Sequence, residues 1–330
     1  MEKGGSMVKV SPQSADMFSA PNETVVILRP SGRKRVLVRT GLLLILFAFC
    51  GMFILHAYIA WTLGHPRIEP LQSNPFLTFG ASYSDVQFPS RNGKTTMDAW
   101  YIPGNSAVTV VFSHGYGGNR EEIWVPIYDL AEELYKNDYN VLMFDYHYVR
   151  PDGIITGGVQ ESQELLGAVD YARQLGAEKV FVWGFSMGAG TALQAALDEP
   201  GIDGMILDST FLLDPDTLYH NLKQHVNIPK YPSLQLIRLF FPLFNGVGLH
   251  EIPYERIMST QYSMPIFFIH GEKDRKAPYE IAEQLYLAQK ENPYSRLWLL
   301  KHGSHEMIYK AQPEQYIEKT MKFLREIQAL

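Results

Sequence analysis

The stretch Gly41–Leu63 runs for 23 residues without an Asp, Glu, Lys or Arg. As a helix rising about 1.5 Å per residue, it is long enough to cross a hydrocarbon core about 30 Å thick. Tyr58 and Trp61 lie toward its C-terminal end, where amphipathic rings suit the headgroup region. A buried core helix would rarely be so uniformly apolar, and a signal peptide normally has a shorter apolar region and a clearer cleavage site. The stretch therefore predicts a single uncleaved transmembrane helix over residues 41–63, held in a lipid bilayer.

Charge is distributed unevenly around this helix. Residues 1–40 carry seven Lys or Arg and three Asp or Glu, a net charge of +4, so the rest of the chain must carry −10 to give the total of −6. Because positive charge favours the cytoplasmic side, we expect a basic cytoplasmic tail over residues 1–40 and an extracytoplasmic body. An acidic body repels polyanions, which argues against a nucleic acid partner. The single cysteine, Cys50, excludes an intramolecular disulfide, and no pattern indicates a metal site or an organic cofactor.

Beyond the helix, three prolines predict an extended linker over residues 64–79. From residue 80 onward, short apolar runs alternate with longer helical patterns, which predicts a mostly parallel sheet with helices on both faces. The predicted strands are Tyr83–Phe88, Met97–Ile102, Val108–Ser113, Asn140–Asp145, Lys179–Gly184, Gly204–Asp208, Pro265–His270 and Arg296–Leu300. The predicted helices are Trp124–Lys136, Val159–Leu175, Ala189–Leu197, Glu280–Gln289 and Pro313–Ile327. Residues 80–330 are therefore expected to form one α/β domain.

One interval, residues 211–262, is too long for an ordinary connection between two strands. It is rich in large apolar side chains: Tyr231, Leu234, Ile237, Leu239, Phe240, Phe241, Leu243 and Phe244. Such an insertion can be a helical hairpin that packs on the surface of the domain, or a small helical cap over an active site.

The pattern Gly184-Phe185-Ser186-Met187-Gly188 lies between a predicted strand and a predicted helix. A sharp turn between these elements would leave the hydroxyl of Ser186 exposed at the carboxyl edge of the sheet, and the flanking glycines would relieve the crowding. An incidental serine in a tight turn is the simpler alternative. The context favours Ser186 as a catalytic nucleophile.

A serine nucleophile needs a base, and the base needs an orienting carboxylate. Asp274 follows the strand Pro265–His270, and His305 follows the strand Arg296–Leu300, in the chain order that such enzymes use. His302 is the alternative base, but it lies almost directly after its strand, whereas His305 follows a Gly-Ser turn that gives it reach. The alternatives to the carboxylate of Asp274 are Asp208 and Glu272.

A glycine-rich loop, His114–Arg120, follows the strand Val108–Ser113. It can present the backbone N–H of Tyr116 to an oxyanion, and the N–H of Met187 would be the second donor. His114 invites a catalytic role, although packing or hydrogen bonding inside the loop is the simpler one.

These motifs, in this order, resemble the α/β-hydrolase superfamily over about residues 80–330. Within it, the chain is similar to membrane-anchored hydrolases of the Bem-type group and to serine aminopeptidase-like and lysophospholipase-like domains. The supporting motifs are His114–Gly118, Phe144–Tyr146, Gly184–Gly190, Asp208–Phe211, His270–Asp274 and Gly303–His305. Relatives often carry Arg-Gly-x-Gly where this chain continues with His147-Tyr148, so the resemblance does not predict the shape of that loop.

The resemblance implies hydrolysis of an acyl bond through acylation of Ser186, followed by deacylation by water, with no cofactor. We expect a carboxylic-ester hydrolase with a small acyl substrate that can derive from a lipid. A serine peptidase of the aminopeptidase-like type is the alternative, and a non-catalytic membrane scaffold is a third reading.

Overall fold

The computed structural model describes residues 32–122, 124–197 and 201–330. Helix α1, Gly32–Gly64, is 33 residues long, and by length and composition it is able to cross a membrane. The helix begins before the predicted residue 41, so residues 32–40 of the predicted tail are helical. No proline or glycine lies between positions 33 and 40, and the Arg, Lys, Leu and Val residues there are compatible with a helix. The remainder of that tail, residues 1–31, lies outside the described residues. Residues 51–330 group into one unit, which includes the last turns of α1.

The predicted linker contains a short helix and is bound to the domain. Helix α2, Pro75–Phe79, begins with proline at its first position, and the Asn74 side chain accepts the N–H of Leu77 at 2.9 Å. Upstream of α2, the carboxylate of Glu121 accepts backbone N–H groups from Gln72 and Ser73. Proline can start a helix as well as extend a chain, so the prolines alone did not predict this arrangement.

An eight-stranded sheet forms the centre of the domain, in the order β1-β2-β4-β3-β5-β6-β7-β8. Strand β2 is antiparallel to β1 and β4, and all other neighbours are parallel. The strands are β1 Ser84–Pro89, β2 Thr96–Ile102, β3 Val108–Ser113, β4 Asn140–Phe144, β5 Lys179–Phe185, β6 Gly204–Asp208, β7 Ile266–Gly271 and β8 Arg296–Leu300.

Helices cover both faces of this sheet, as its continuous apolar strands require. In β5, Val180 and Val182 belong to one buried apolar cluster, whereas Phe181, Trp183 and Phe185 belong to the other. The helices around the sheet are α3 Ile127–Lys136, α4 Val159–Gln174, α5 Met187–Ala195, α9 Tyr279–Ala288, α10 Ile308–Ala311 and α11 Pro313–Gln328. The predicted α/β fold with a mostly parallel sheet is therefore confirmed.

The long interval between β6 and β7 contains α6 Pro215–His225, α7 Lys230–Asn245 and α8 Tyr254–Ser259. Its apolar residues divide into two groups. Leu234, Ile237 and Phe241 are buried, whereas Leu239 and Leu243 are exposed. The interval is thus a helical insertion at the carboxyl edge of the sheet, where parallel α/β domains place their sites.

Candidate active site

Ser186 lies at the sharp turn between β5 and α5, with backbone angles φ +50° and ψ −116°. This combination of a positive φ and a negative ψ is rare for a residue with a side chain, and it is held because the neighbouring glycines allow close packing. A Cβ on Gly184 would lie 2.7 Å from Cα of Ala189, and one on Gly188 would lie 2.0 Å from the carbonyl oxygen of Ser113. The two glycines of the motif are therefore required by the turn that presents the serine.

The structure brings Ser186, His305 and Asp274 into one chain of hydrogen bonds. His305 Nε2 is 2.8 Å from Ser186 Oγ, and His305 Nδ1 is 2.6 Å from Asp274 Oδ2. The imidazole is only 8% exposed and the carboxylate is fully buried. The arrangement has the geometry in which an imidazole can take the proton of a serine while a carboxylate orients the ring.

Donors on both of its oxygens fix the Asp274 carboxylate. Oδ1 accepts the backbone N–H groups of Lys276 and Ala277 at 2.8 and 2.9 Å, and His270 Nε2 lies 3.2 Å from Oδ2. Burial alone would raise the pKa of Asp274, but hydrogen bonds from His270 and His305 and their charges outweigh it and hold the pKa well below its usual value. Asp274 is therefore an anion over the whole physiological range.

The alternative residues lie elsewhere. His302 and Glu272 are exposed on the surface. Asp208 is buried and accepts hydrogen bonds from the hydroxyls of Tyr316 at 2.7 Å and Ser209 at 2.8 Å. Asp208 thus has a structural role and lies outside the hydrogen-bonded chain of Ser186, His305 and Asp274.

Asp208 supports the histidine loop indirectly. The hydroxyl of Ser209 donates to Asp208 and also accepts the N–H of Glu306 at 2.9 Å. Both Ser209 and Glu306 have positive φ angles, of 55° and 54°. This hydrogen bond joins the loop after β6 to the loop after β8, and it fixes the backbone directly beside His305.

Met187 and Tyr116, the predicted oxyanion donors, border the same cavity as Ser186. Met187 is the first residue of α5, so its N–H has no acceptor within the helix. The Tyr116 ring turns toward α1, where its hydroxyl donates to the carbonyl of Thr62 at 3.0 Å. The role of the two N–H groups as an oxyanion hole stays a prediction.

His114 is buried under the glycine-rich loop. Its Nε2 accepts the backbone N–H of Tyr146 at 3.1 Å, and the hydroxyl of Tyr148 donates to the carbonyl of Gly115 at 2.7 Å. Burial lowers the pKa of His114 to about 4, so the ring is neutral above that pH. Tyr146 and Tyr148 thus support the glycine-rich loop, and Tyr148 belongs to the segment whose shape the resemblance did not predict.

Two buried glutamates beside the site were missed at the sequence level. The Gly115 N–H donates to Glu122 Oε2 at 2.6 Å, and Glu306 Oε2 lies 3.9 Å from His305 Nε2. A Cβ on Gly115 would lie 2.8 Å from an oxygen of Glu306 and 3.3 Å from one of Glu122. Burial, and then the charge of the other glutamate, raise the pKa of Glu306, and burial raises that of Glu122. The pair therefore favours a state with one carboxyl protonated. Of the two glutamates, Glu306 could have been suspected from the sequence, because it directly follows His305.

A cavity of about 480 Å³ opens on Ser186, within the size range of ligand sites. Apolar side chains from α1, α6 and α7 form much of its lining, and the ammonium group of Lys276 and the carboxyl group of Glu306 also border it. The apolar residues include Leu63, Trp124, Leu218, Leu222 and Phe241. Because α6 and α7 belong to the helical insertion, the insertion covers the site.

In the part of the chain that the structure describes, no three His, Cys, Asp or Glu side chains are grouped to hold a metal ion.

Comparisons with known proteins indicate an α/β-hydrolase fold. A family model described as the alpha/beta hydrolase fold matches residues 108–233. The uncharacterized protein YfhR of Salmonella typhimurium is 25% identical over 250 residues, which cover 68% of this chain and 75% of YfhR. The lysophosphatidylserine lipase ABHD12 of Mus musculus is 26% identical over 244 residues, which cover 68% of this chain but only 56% of the mouse protein.

Solved structures share the fold. The esterase Pf2001 of Pyrococcus furiosus superposes with a TM-score of 0.65 over 81% of this chain and 98% of the esterase, at 23% identity. The α/β hydrolase GrgF of Penicillium superposes with a TM-score of 0.57 over 76% of this chain, at 19% identity. Together with the matching family model, these likenesses show that the chain has the α/β-hydrolase fold.

Proposed function

We propose that this protein is a serine hydrolase that cleaves an ester of an apolar acyl chain through an acyl-enzyme intermediate. The observation that carries the proposal is the hydrogen-bonded chain Ser186–His305–Asp274 at the base of an apolar cavity. A non-catalytic scaffold has no need of a serine in a strained turn aligned with an imidazole and a buried carboxylate.

The geometry supports the following cycle. His305 Nε2 accepts the proton of Ser186 Oγ as the oxygen attacks the ester carbonyl, and the negative oxygen of the tetrahedral intermediate binds the N–H groups of Tyr116 and Met187. The imidazolium, stabilised by Asp274, then protonates the leaving alcohol as the C–O bond breaks. Water, deprotonated by His305, attacks the acyl-enzyme, and proton return to Ser186 releases the carboxylic acid.

The lining of the cavity favours an ester of a long acyl chain over a peptide. Leu218, Leu222 and Phe241 offer apolar surface, and burial of apolar area stabilises binding by about 25 cal/mol per Å². The name of the mouse relative, a lysophosphatidylserine lipase, supports a monoacyl lipid as the substrate class. The ammonium group of Lys276, which borders the cavity, suits an anionic headgroup.

Helix α1 is proposed to anchor the enzyme in a membrane, with residues 1–40 in the cytoplasm and the active site outside. The uncharged run Gly41–Leu63 and the basic residues before it support this orientation. External protease added to intact cells should digest the body while a cytoplasmic marker survives. Full protection of the body from the protease would show that the orientation is the opposite of the proposed one.

Labelling with a fluorophosphonate probe tests the catalytic serine. The full chain in detergent should be labelled, Ser186→Ala should not be, and Ser304→Ala should label like the parent, because Ser304 is an exposed serine beside His305. Absence of labelling in a protein with a normal unfolding transition would refute the proposal.

A substrate panel separates esterase from peptidase. Rates on p-nitrophenyl esters should rise with acyl length, whereas aminoacyl p-nitroanilides should be hydrolysed slowly, since an apolar cavity gains binding free energy per methylene. Faster cleavage of the anilides than of the esters would establish the peptidase alternative.

A further inference from the structure

The cap helix α7 has a group of apolar side chains that are exposed or half-exposed. Leu239 is 56% exposed and Leu243 is 71% exposed. Helical spacing places Leu239 and Leu243 on one side of α7 with Phe240 and Phe244 beside them, whereas Arg238 lies toward another side. The apolar group, called the outer flank below, consists of Leu239, Phe240, Leu243 and Phe244.

The outer flank lies beside the end of α1. The rings of Phe240 and Phe53 meet edge to face with centroids 6.1 Å apart. The side chain of Asn245, at the end of α7, donates to the carbonyl of Ala60 at 3.0 Å. Ile59 also belongs to a buried apolar cluster that includes Leu234 and Ile237 of α7. Helix α7 therefore contacts α1 between Phe53 and Ala60.

This contact places the outer flank at a depth along α1. Phe53 precedes Gly64, the last residue of the helix, by eleven residues, which corresponds to about 16 Å at the rise of an α-helix. The uncharged run of α1 continues beyond Phe53 to Leu63. If α1 crosses a hydrocarbon core about 30 Å thick, a surface packed against Phe53 lies at the level of lipid and not of bulk water.

We propose that the outer flank is a membrane-docking surface that inserts into the same bilayer as α1. Exposed leucines and phenylalanines lose their unfavourable contact with water when they meet acyl chains. The proposal rests on the membrane anchorage proposed above, and it adds the delivery route of the substrate. Leu63 of α1 and Phe241 of α7 both line the catalytic cavity, so an amphiphile reaches Ser186 directly from the bilayer.

Site-directed fluorescence measures the insertion without any assay of activity. In the full chain with Cys50→Ser, a polarity-sensitive dye is attached at Leu243→Cys or, as a control outside the cap, at the exposed position Lys322→Cys on α11, and the protein is placed in phosphatidylcholine vesicles. The dye at 243 should emit at shorter wavelength and be quenched by nitroxide lipids, whereas the dye at 322 should be quenched by aqueous iodide. Equal iodide quenching at both positions overturns the proposal. The proposal is also overturned if a second copy of the chain, and not lipid, shields position 243 from iodide. That result would appear as a concentration-dependent dimer in which nitroxide lipids do not quench the dye.

Activity tests the delivery route. The variant Leu239→Gln/Leu243→Gln should hydrolyse a monoacyl glycerophospholipid in vesicles about tenfold more slowly, because the two leucines no longer gain by leaving water. Its hydrolysis of soluble p-nitrophenyl acetate and its fluorophosphonate labelling should match those of the parent and of Gln235→Ala. Equal rates on vesicles, or a parallel loss on both substrates, would overturn the route. Absence of labelling in the parent itself would refute only the proposed serine chemistry, since the fluorescence result is independent of it.

Discussion

Replacement of Asp274 by asparagine tests the site most sharply. The backbone N–H groups of Lys276 and Ala277 both donate to Asp274 Oδ1, so they should hold the amide oxygen of the asparagine there. The NH₂ group then takes the place of Oδ2, 2.6 Å from Nδ1 of His305. A donor at that position stabilises the imidazole tautomer that carries its proton on Nε2, and this tautomer cannot accept the proton of Ser186.

The expected loss in kcat/KM is about 10⁴-fold, as when a triad carboxylate elsewhere is replaced by its amide, and it corresponds to about 5.5 kcal/mol of transition-state stabilisation. Hydrolysis of p-nitrophenyl butyrate by the full chain in detergent measures it. The matched control is Glu272→Gln, which removes an exposed carboxylate from the same loop and should leave the rate unchanged. Retention of more than about a tenth of the parent activity by Asp274→Asn would refute the tautomer argument.

Three further outcomes are expected. His305→Ala should lower kcat/KM for the same ester by several orders of magnitude, whereas His302→Ala should leave it within about twofold; the reverse result would reassign the base. Since the pKa of Glu306 is raised in the folded chain, the unfolded chain loses that proton first as pH rises above about 4.5, so stability falls with rising pH until the folded pKa is passed. Glu306→Gln should flatten this slope in thermal unfolding between pH 5 and 9, and an unchanged slope would place the titration elsewhere. Gly188→Ala should cost about 3 kcal/mol or more, because its Cβ meets the backbone oxygen of Ser113, and an unaltered unfolding midpoint would contradict the packing.

The sheet was the most predictable part of the fold, because strands buried on both faces are short apolar runs with polar boundaries. Val108–Ser113, Gly204–Asp208 and Arg296–Leu300 have the predicted bounds, and β7 differs by one residue at each end. The helical insertion was less predictable. Its apolar composition is compatible both with a hairpin that packs on the surface of the domain and with a cap over the site. Only the three-dimensional path of the chain distinguishes these two arrangements.

At the candidate site, the sequence led to the three side chains that the structure joins by hydrogen bonds, because strand order fixes where such loops meet. It did not lead to the Glu122–Glu306 pair, since the positive φ of Glu306 and the close approach to Gly115 arise only from tertiary packing. It also did not predict that the residues before Pro75 are held by Glu121. Contacts between segments far apart in the chain leave no periodic pattern to read.

The last turn of α1 packs so closely on the domain that another transmembrane helix could not replace it without loss of contacts. A Cβ on Gly64 would lie 1.6 Å from the side-chain oxygen of Asn245, and Leu63 forms part of the cavity wall. A soluble form that begins at residue 66 would therefore have an open cavity and an uncovered apolar cluster, whereas one that begins at residue 51 retains both contacts. Grafting a foreign transmembrane helix onto this enzyme should preserve its activity only if these last turns are kept.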